Sequence, residues 1–596
     1  MYAFYQKHEY ALAALFVLIT QLCVLPMVTG LYPDTDNYTH ARRVLDLIET
    51  GVWAETPYVH SNYPFGEILH FTRVTDVFWL FFSLPAFLFF SVKDAVFWGG
   101  QIYQTGVLIL SAVALIWALK PMTPPLPRLI GLCILFLQPS VTETYILIKP
   151  DHHVLTALFA FVALGGLTHY LADRRKEHLR TAGIGAGLCL WSSVEGLLIA
   201  YTLLGGLVLL FLLNRESVKA AAYYFFYFFV SSLVFLAVNP PYEGFFFPDN
   251  GRLSFLMITT IGLTDVALIF LSALEEKKPQ AGFFRKLFVL IATAAFFAAL
   301  VFLLFPANVV LAPHFSPEIK EIWAENVVEL QSGVKRGILF FLAVWPSLIC
   351  LLTGLIVYKF CTPAQRSFLL LTLPSLIFFT AFAIVRIRYA RLSSLFTPFP
   401  IVLFFALRLK PQDFSERKNG VLITVLYLSC LIFLSVNYRS VHQSLTARAA
   451  PPVSVVKPFL PQREGSILAD VSLGPEVIWN LDEKVIGTPY HRNVEGIRDD
   501  VFAFYTENMN EAVELLKKHR VKAVLIYAEL DGLPYFFYDP DQRYSYRIKN
   551  VNTNSLIRKL IFDKDLPCGI EEELNTPVPY LLYTVDFSKC PDEYKN

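Results

Sequence analysis

The chain reads as a polytopic α-helical membrane protein with a C-terminal α/β domain. Three observations predict this. Of its 596 residues, 55% are hydrophobic and only 17% charged, with a mean hydropathy of +0.50, far from the soluble average. Apolar runs long enough to cross a bilayer, about 20 residues each, recur along it. Hydropathy then falls after about Asn437, and strand and helix signals alternate to the end.

The apolar runs lie near 10–31, 94–119, 126–142, 154–171, 182–197, 198–213, 219–238, 253–273, 287–311, 336–357, 367–385, 392–408 and 420–437. The first resembles a retained signal anchor, since no small-residue cleavage site follows it. A further run, 77–93, is ambiguous, and charge resolves it. Basic connectors at Lys120–Arg128, Arg174–Arg180, Arg215–Lys219, Arg285-Lys286, Lys359–Arg366 and Arg408–Lys418 fall on the N-terminal side only if 77–93 does not cross. Cytoplasmic loops collect Lys and Arg, so 77–93 is expected to lie at the outer interface or to be re-entrant. That predicts about thirteen spans, a cytoplasmic N-terminus and an outer C-terminus. The expected organisation is a membrane domain over 1–438, with outer loops at 32–93, 143–153, 239–252 and 313–336. A linker over 439–465 and an α/β domain over 466–596 follow.

In that last domain SILADV, EKVIGTPY, KAVLIYA and PYLLYTVDF read as strands, GPEVIWNL and NEAVELLKKHR as helices. Its two cysteines, Cys568 and Cys590, can pair in an oxidising compartment or remain thiols. No CxxC pair occurs among the 8 cysteines, which argues against a zinc or iron–sulfur site. The formal net charge of +1 argues against a nucleic-acid binder, which needs a basic stripe.

The informative residues gather on the outer side. The stretch Tyr32–Asp76 opens with Asp34 and Asp36 at the start of a short helix, where free N–H groups favour anions. Val44, Leu45, Leu47 and Ile48 form its apolar side and Gly51 ends it. The turn Asn62-Tyr63-Pro64-Phe65-Gly66 follows, then His70, Arg73 and Asp76. A second acidic motif is Lys149-Pro150-Asp151-His152-His153. Carboxylate and imidazole together suit a divalent ion, whereas Lys149 and the histidines equally suit phosphate. The plain alternatives are solvated carboxylates and a span-capping turn. Boundary ionisable groups are functional candidates by default. Glu195 sits between apolar runs with no cation beside it in sequence, and is costly there unless paired or near water. Glu329 is a third carboxylate, by itself ordinary in an amphipathic loop. Arg386, Arg388 and Arg391 end a span, where they anchor the helix or fork onto a phosphate.

In order and sidedness these residues resemble the GT-C membrane glycosyltransferases, and most closely the catalytic subunits of oligosaccharyltransferases. Asp36-Asn37-Tyr38 with Arg42-Arg43 looks like the family's first-loop acidic motif. Tyr63–Asp76 is similar to its tyrosine–proline–glycine segment and interfacial helix. Lys149–His153 is similar to the Asp-His-His variant of the second acidic motif. NVVELQS places Glu329 at the glutamate of the fifth-loop motif, and Arg391, or else Arg388, matches the arginine on the donor pyrophosphate. Two departures stand out. Asn326 replaces the Ser/Thr of the fifth-loop motif, and the acceptor-reading WWDYG motif is absent, with DVSLGPEVIWNL and TPYHRNVEG in its approximate place.

The resemblance implies transfer of a sugar or oligosaccharide from a polyprenyl phosphate or pyrophosphate to a protein, lipid or glycan acceptor at the outer membrane face. It implies Mg2+ or Mn2+ held by Asp36, Asp151 and Glu329, with Asp34 as spare ligand or base. Arg391, Arg388, Lys149, His152 and His153 are then expected on the donor phosphate, and His491 and Arg492 on the acceptor. The expected location is a bacterial inner membrane with the C-terminal domain periplasmic. Transfer to protein asparagine is the nearer alternative. A transporter or lipid flippase is the alternative of another class, disfavoured because the charges lie at one face and no repeated halves appear.

Overall fold

The computed structural model describes residues 2–23, 31–136, 138–145, 149–277, 282–306, 327, 331–336, 338–408, 451–527, 555–563, 566–573, 575–577 and 579–590. Helices α1 (Tyr2–Leu22), α4 (Val92–Leu119), α5 (Pro125–Phe136), α7 (His153–Asp173), α8 (Lys176–Ser192), α9 (Glu195–Leu212), α10 (Val218–Val238), α11 (Phe255–Lys277), α12 (Phe283–Leu304), α13 (Ile338–Tyr358), α14 (Pro363–Val385), α15 (Tyr389–Phe396) and α16 (Pro398–Arg408) build an apolar bundle. Among the described residues, eight helices are long and apolar enough to cross a membrane, with α15 and α16 forming one continuous span. The chain is an integral membrane protein. The expected run 420–437 lies outside the described residues.

Small residues let α7, α8 and α10 touch backbone to backbone. A Cβ at Gly166 of α7 would lie 2.5 Å from the His178 carbonyl and 2.6 Å from the Ala182 nitrogen of α8. Close backbone approach is how helices associate in lipid, where hydrophobicity gives no net attraction between them. At one end of the bundle, Glu9 of α1 and Arg128 of α5 form a buried ion pair, with Arg128 Nε donating over 2.9 Å.

The ambiguous 77–93 run resolves by length. Helix α3 spans Arg73–Ser83, 11 residues, and a short 3-10 turn follows at Ala86–Leu88. At 1.5 Å per residue α3 covers roughly 17 Å, about half a hydrocarbon core. Phe81, Leu84, Leu88 and Phe89 are exposed there.

The C-terminal domain is a five-stranded sheet in the order β2-β1-β3-β5-β4. Its strands are β1 (Ser466–Ala469), β2 (Lys484–Val485), β3 (Val521–Tyr527), β4 (Ile570–Glu573) and β5 (Tyr580–Val585). β1 pairs in parallel with β2 and β3, and β5 runs antiparallel to β3 and β4. Helices α17 (Gly474–Leu481), α18 (Val494–Tyr505) and α19 (Met509–Lys518) connect the parallel strands. β1 is buried throughout and β3 nearly so, the pattern of a sheet covered on both faces. Cys568 and Cys590 form a disulfide that joins the approach to β4 with the exit of β5.

The first loop is built into this domain. Tyr58, Leu69 and Phe71 share a core with Ile467, Val477 and Leu525. The backbone of the loop also pairs along β2: Val485 N–H donates to His60 O at 2.8 Å, Tyr63 N–H to Val485 O at 3.2 Å, and Asn62 N–H to Ile486 O at 3.0 Å. An open sheet edge is a liability, and here the loop covers it. The segment Val453–Phe459, inside the expected linker, packs Val453 and Val456 into the same core.

Candidate active site

Helix α2 (Thr35–Thr50) carries the first acidic pair. Asp34 is its N-cap, accepting from the Asp36 N–H at 3.5 Å, and Gly51 closes it in the left-handed conformation at φ 66°. The side-chain amide of Asn37 donates to the Pro150 carbonyl at 2.8 Å, so the first turn of α2 lies against the segment Lys149–His153. Lys149 Nζ is 3.3 Å from Asp34 Oδ2, and the lysine expected on phosphate is therefore ion-paired across this junction. Asp36, on the same turn, lies within electrostatic reach of Tyr490 of the C-terminal domain, whose hydroxyl donates to Thr39 and to the Thr35 carbonyl.

Asp151 sits where these elements meet. Its Oδ1 is 3.7 Å from His40 Nε2, and its Oδ2 is 3.7 Å from His153 Nε2. His40 Nε2 and His152 Nδ1 are 3.4 Å apart. The Tyr103 hydroxyl donates to the Asp151 carbonyl at 3.0 Å, fixing the backbone. Ligand atoms of His40, Asp151 and His152 all lie within 4.8 Å of one another. Burial opposes the Asp151 charge, but His152, His153 and His40 outweigh it and hold the carboxyl well below its usual range. Burial drives His40 down to about 3 against the pull of Asp151, so its imidazole is neutral, as a metal ligand requires. The donor set of one carboxylate and two imidazoles fits a divalent ion.

A buried ionic network joins α2 to α3. Arg43 of α2 and Arg73 of α3 both donate to Asp76 Oδ2, at 2.8 and 3.0 Å. Glu55 lies 3.6 Å from Arg43 and 3.4 Å from Arg252, and accepts from the Asn239 amide at 2.9 Å. The loop 239–252 is thereby tied to α2 and α3.

The cationic end is equally organised. Glu195, at the start of α9, accepts from Arg388 Nε at 3.1 Å and from Arg391 at 3.2 Å. The charge that sequence left without a partner is thus paired across nearly two hundred positions. Arg391 and Glu195 lie within electrostatic reach of His153 in the Asp-His-His segment. His491 and Arg492 reach the same region from the C-terminal domain. Arg492 pairs with Asp249, and the His491 ring lies 4.7 Å from that of His70.

The structure therefore brings together Asp34, Asp36, Lys149, Asp151, His152 and His153 at one junction. It sets Arg388 and Arg391 beside that junction, and His491 and Arg492 near the latter through Asp249 and His70. Glu329 lies outside the described residues. Sequence reasoning did not single out His40 or Tyr490. Asp36 and His40 stand four apart on one helix face, a signal hidden because that helix was read for its apolar stripe.

No protein-family model and no curated protein sequence matches the chain. Solved structures do. The Archaeoglobus fulgidus oligosaccharyltransferase AglB, in complex with an inhibitory peptide and a dolichol-phosphate, aligns at TM-score 0.66 and 14% identity over 98% of this chain and 75% of that one. The A. fulgidus enzyme with Zn and sulfate aligns at TM-score 0.64 and 15% identity, over 98% and 74%. Its apo form gives 0.61 and 15%, over 88% and 70%. At this identity the likeness is one of fold. The chain shares the fold of the A. fulgidus oligosaccharyltransferase AglB.

Proposed function

We propose that this protein is a membrane glycosyltransferase. It moves a sugar or oligosaccharide from a polyprenyl-phosphate or -pyrophosphate donor to an acceptor at the outer face of a bacterial inner membrane. One observation carries the reading: a carboxylate–imidazole cluster at Asp151, with an arginine pair on Glu195 in electrostatic reach of His153, in a chain with the AglB fold.

Asp151, with His40 and His152, would hold a divalent cation, and Asp36 and Glu329 complete the expected set. The cation would supply electrostatic stabilisation of charge on the departing phosphate. Arg391 and Arg388, oriented by Glu195, offer planar forks to the donor phosphate. The Asp36 carboxylate orients the acceptor nucleophile or takes its proton. His491 and Arg492 contribute the acceptor side. The AglB structures with dolichol-phosphate, Zn and sulfate are consistent with a lipid-linked, metal-assisted donor site here.

The test is mass spectrometry of polyprenyl-linked sugars in the native host. Cells with the intact gene, without it, and with Asp151→Ala or Asp36→Ala are compared. Equal accumulation of one donor in the null and both variants, and loss of transfer on chelation of the purified enzyme, are expected. A donor pool unchanged in every strain refutes the transferase reading in favour of transport.

A further inference from the structure

Two side chains of α4 touch the Asp151 segment from inside the bundle, and the transfer as proposed gives neither a part. Residues 149–151 precede α7, and the first carbonyl that accepts a helical bond there is that of His152. The carbonyls of Pro150 and Asp151 lie outside that ladder, so they take partners of another kind. Two other helices supply them. Asn37 Nδ2 of α2 donates to the Pro150 carbonyl at 2.8 Å, and the Tyr103 hydroxyl of α4 donates to the Asp151 carbonyl at 3.0 Å. The Asp151 N–H in turn donates to Gln104 Oε1 of α4 at 3.4 Å. Asn37, Tyr103 and Gln104 are all buried, so water does not compete for these bonds.

Tyr103 is itself aligned by α3. The Trp79 ring stacks on it, with centroids 5.7 Å apart and planes 15° apart. The Trp79 indole N–H donates to the Val96 carbonyl of α4 at 2.8 Å. Gly100 makes room for the indole, since a Cβ there would stand 2.3 Å from the Trp79 ring. With its ring against Trp79 and its hydroxyl on Asp151, the phenol is held at both ends.

Asp151 is therefore bonded at both its backbone N–H and its carbonyl, and the His152 N–H holds its Oδ1 at 2.5 Å. A ligand fixed before the ion arrives gives up less freedom on binding it. We propose that Tyr103 and Gln104 are positioning residues that set Asp151 for the cation, with Trp79 aligning Tyr103. This rests on the reading of Asp151 as a cation ligand. Partners in the outer shell of a metal site commonly cost about 10- to 100-fold in metal affinity when they are removed.

The test is Mn2+ titration of chelator-stripped full-length protein in detergent, followed by electron paramagnetic resonance, with thermal melting alongside. Wild type is expected to bind Mn2+ and Asp151→Ala to lose it. Tyr103→Phe keeps the ring against Trp79 and removes one oxygen. It is expected to bind Mn2+ about 10- to 100-fold more weakly and to broaden the spectrum of the bound ion. Gln104→Met is expected to weaken binding in the same way. Thr168→Val is the control for lost stability. Thr168 is also buried, and it donates to the Ala118 carbonyl at the far end of α4 at 2.8 Å. Its replacement should lower the melting temperature and leave Mn2+ affinity at the wild-type value. Wild-type affinity in both Tyr103→Phe and Gln104→Met, with binding lost in Asp151→Ala, overturns the proposal and leaves the cation site standing. An equal weakening in Thr168→Val also overturns it, because the effect would then be one of general stability. Binding retained in Asp151→Ala refutes the cation site, and the proposal with it.

Discussion

Tyr490→Phe separates contact from chemistry at the point where the C-terminal domain meets α2. The Tyr490 hydroxyl, on a residue 3% exposed, shares its proton between Thr39 Oγ1 at 2.6 Å and the Thr35 carbonyl at 3.3 Å. Thr39 is itself 1% exposed, so water cannot replace the lost bond. Removing a net hydrogen bond costs about 0.5–1.5 kcal/mol, and an unsatisfied buried partner about 1–3 kcal/mol. Because the ring and its contacts with His70 and Phe71 remain, a combined loss of roughly 1.5–3 kcal/mol is expected. The loss falls on the turn bearing Asp34 and Asp36. Amide hydrogen exchange over 35–50 should therefore quicken by about 10- to 100-fold, with turnover falling while the overall fold is kept. Unchanged protection of that turn in Tyr490→Phe would refute the reasoning.

Glu67, 5% exposed, accepts from Thr488 at 2.7 Å and leaves Oε2 without a partner. Burial lifts its pKa to about 8, against hydrogen bonds from Thr488 and Ser61. The native state therefore keeps a proton that the unfolded chain releases near its ordinary value, and stability falls as pH rises from about 4.5 to 8, by up to ~1.4 kcal/mol per unit. Glu67→Gln should flatten that fall in melting temperature against pH; an unaltered slope would exclude Glu67 as its source. Gly166→Leu should abolish folded protein on size-exclusion chromatography, since its Cβ alone would meet α8 backbone at 2.5 Å, whereas a wild-type profile would show that α7 and α8 can separate.

Local signals were the legible part. GPEVIWNL forms Gly474–Leu481 with the expected bounds, because Pro at its start and an apolar stripe mark it without tertiary help. The density of Lys149–His153 marked the second motif. Helix α18 is not among the expected elements: its start, capped by Asn493, lies inside TPYHRNVEG, a segment that stands out only for occupying the approximate place of the absent WWDYG motif. Strand β4 went unread because Ile570–Glu573 is mostly acidic, as edge strands often are. The long-range partners could not be read at all. The identity of Glu195's two arginines, of the Asp76 network, and of Tyr490 as a partner of Thr39 depends on chain crossings that carry no local periodicity.

The strand-like pairing of the first loop with β2 also has a consequence in time. Ser61 and Thr488 share a hydrogen bond across 427 positions. At ordinary translation speeds the loop waits roughly 20–90 s for its partner. The acidic turn of α2 and its histidine can enter the membrane surface early, but the surface that fixes them is synthesised more than 400 positions later. A chain arrested before Lys484 would insert its helices and yet lack a seated first loop, so a seated loop reports that synthesis has passed β2.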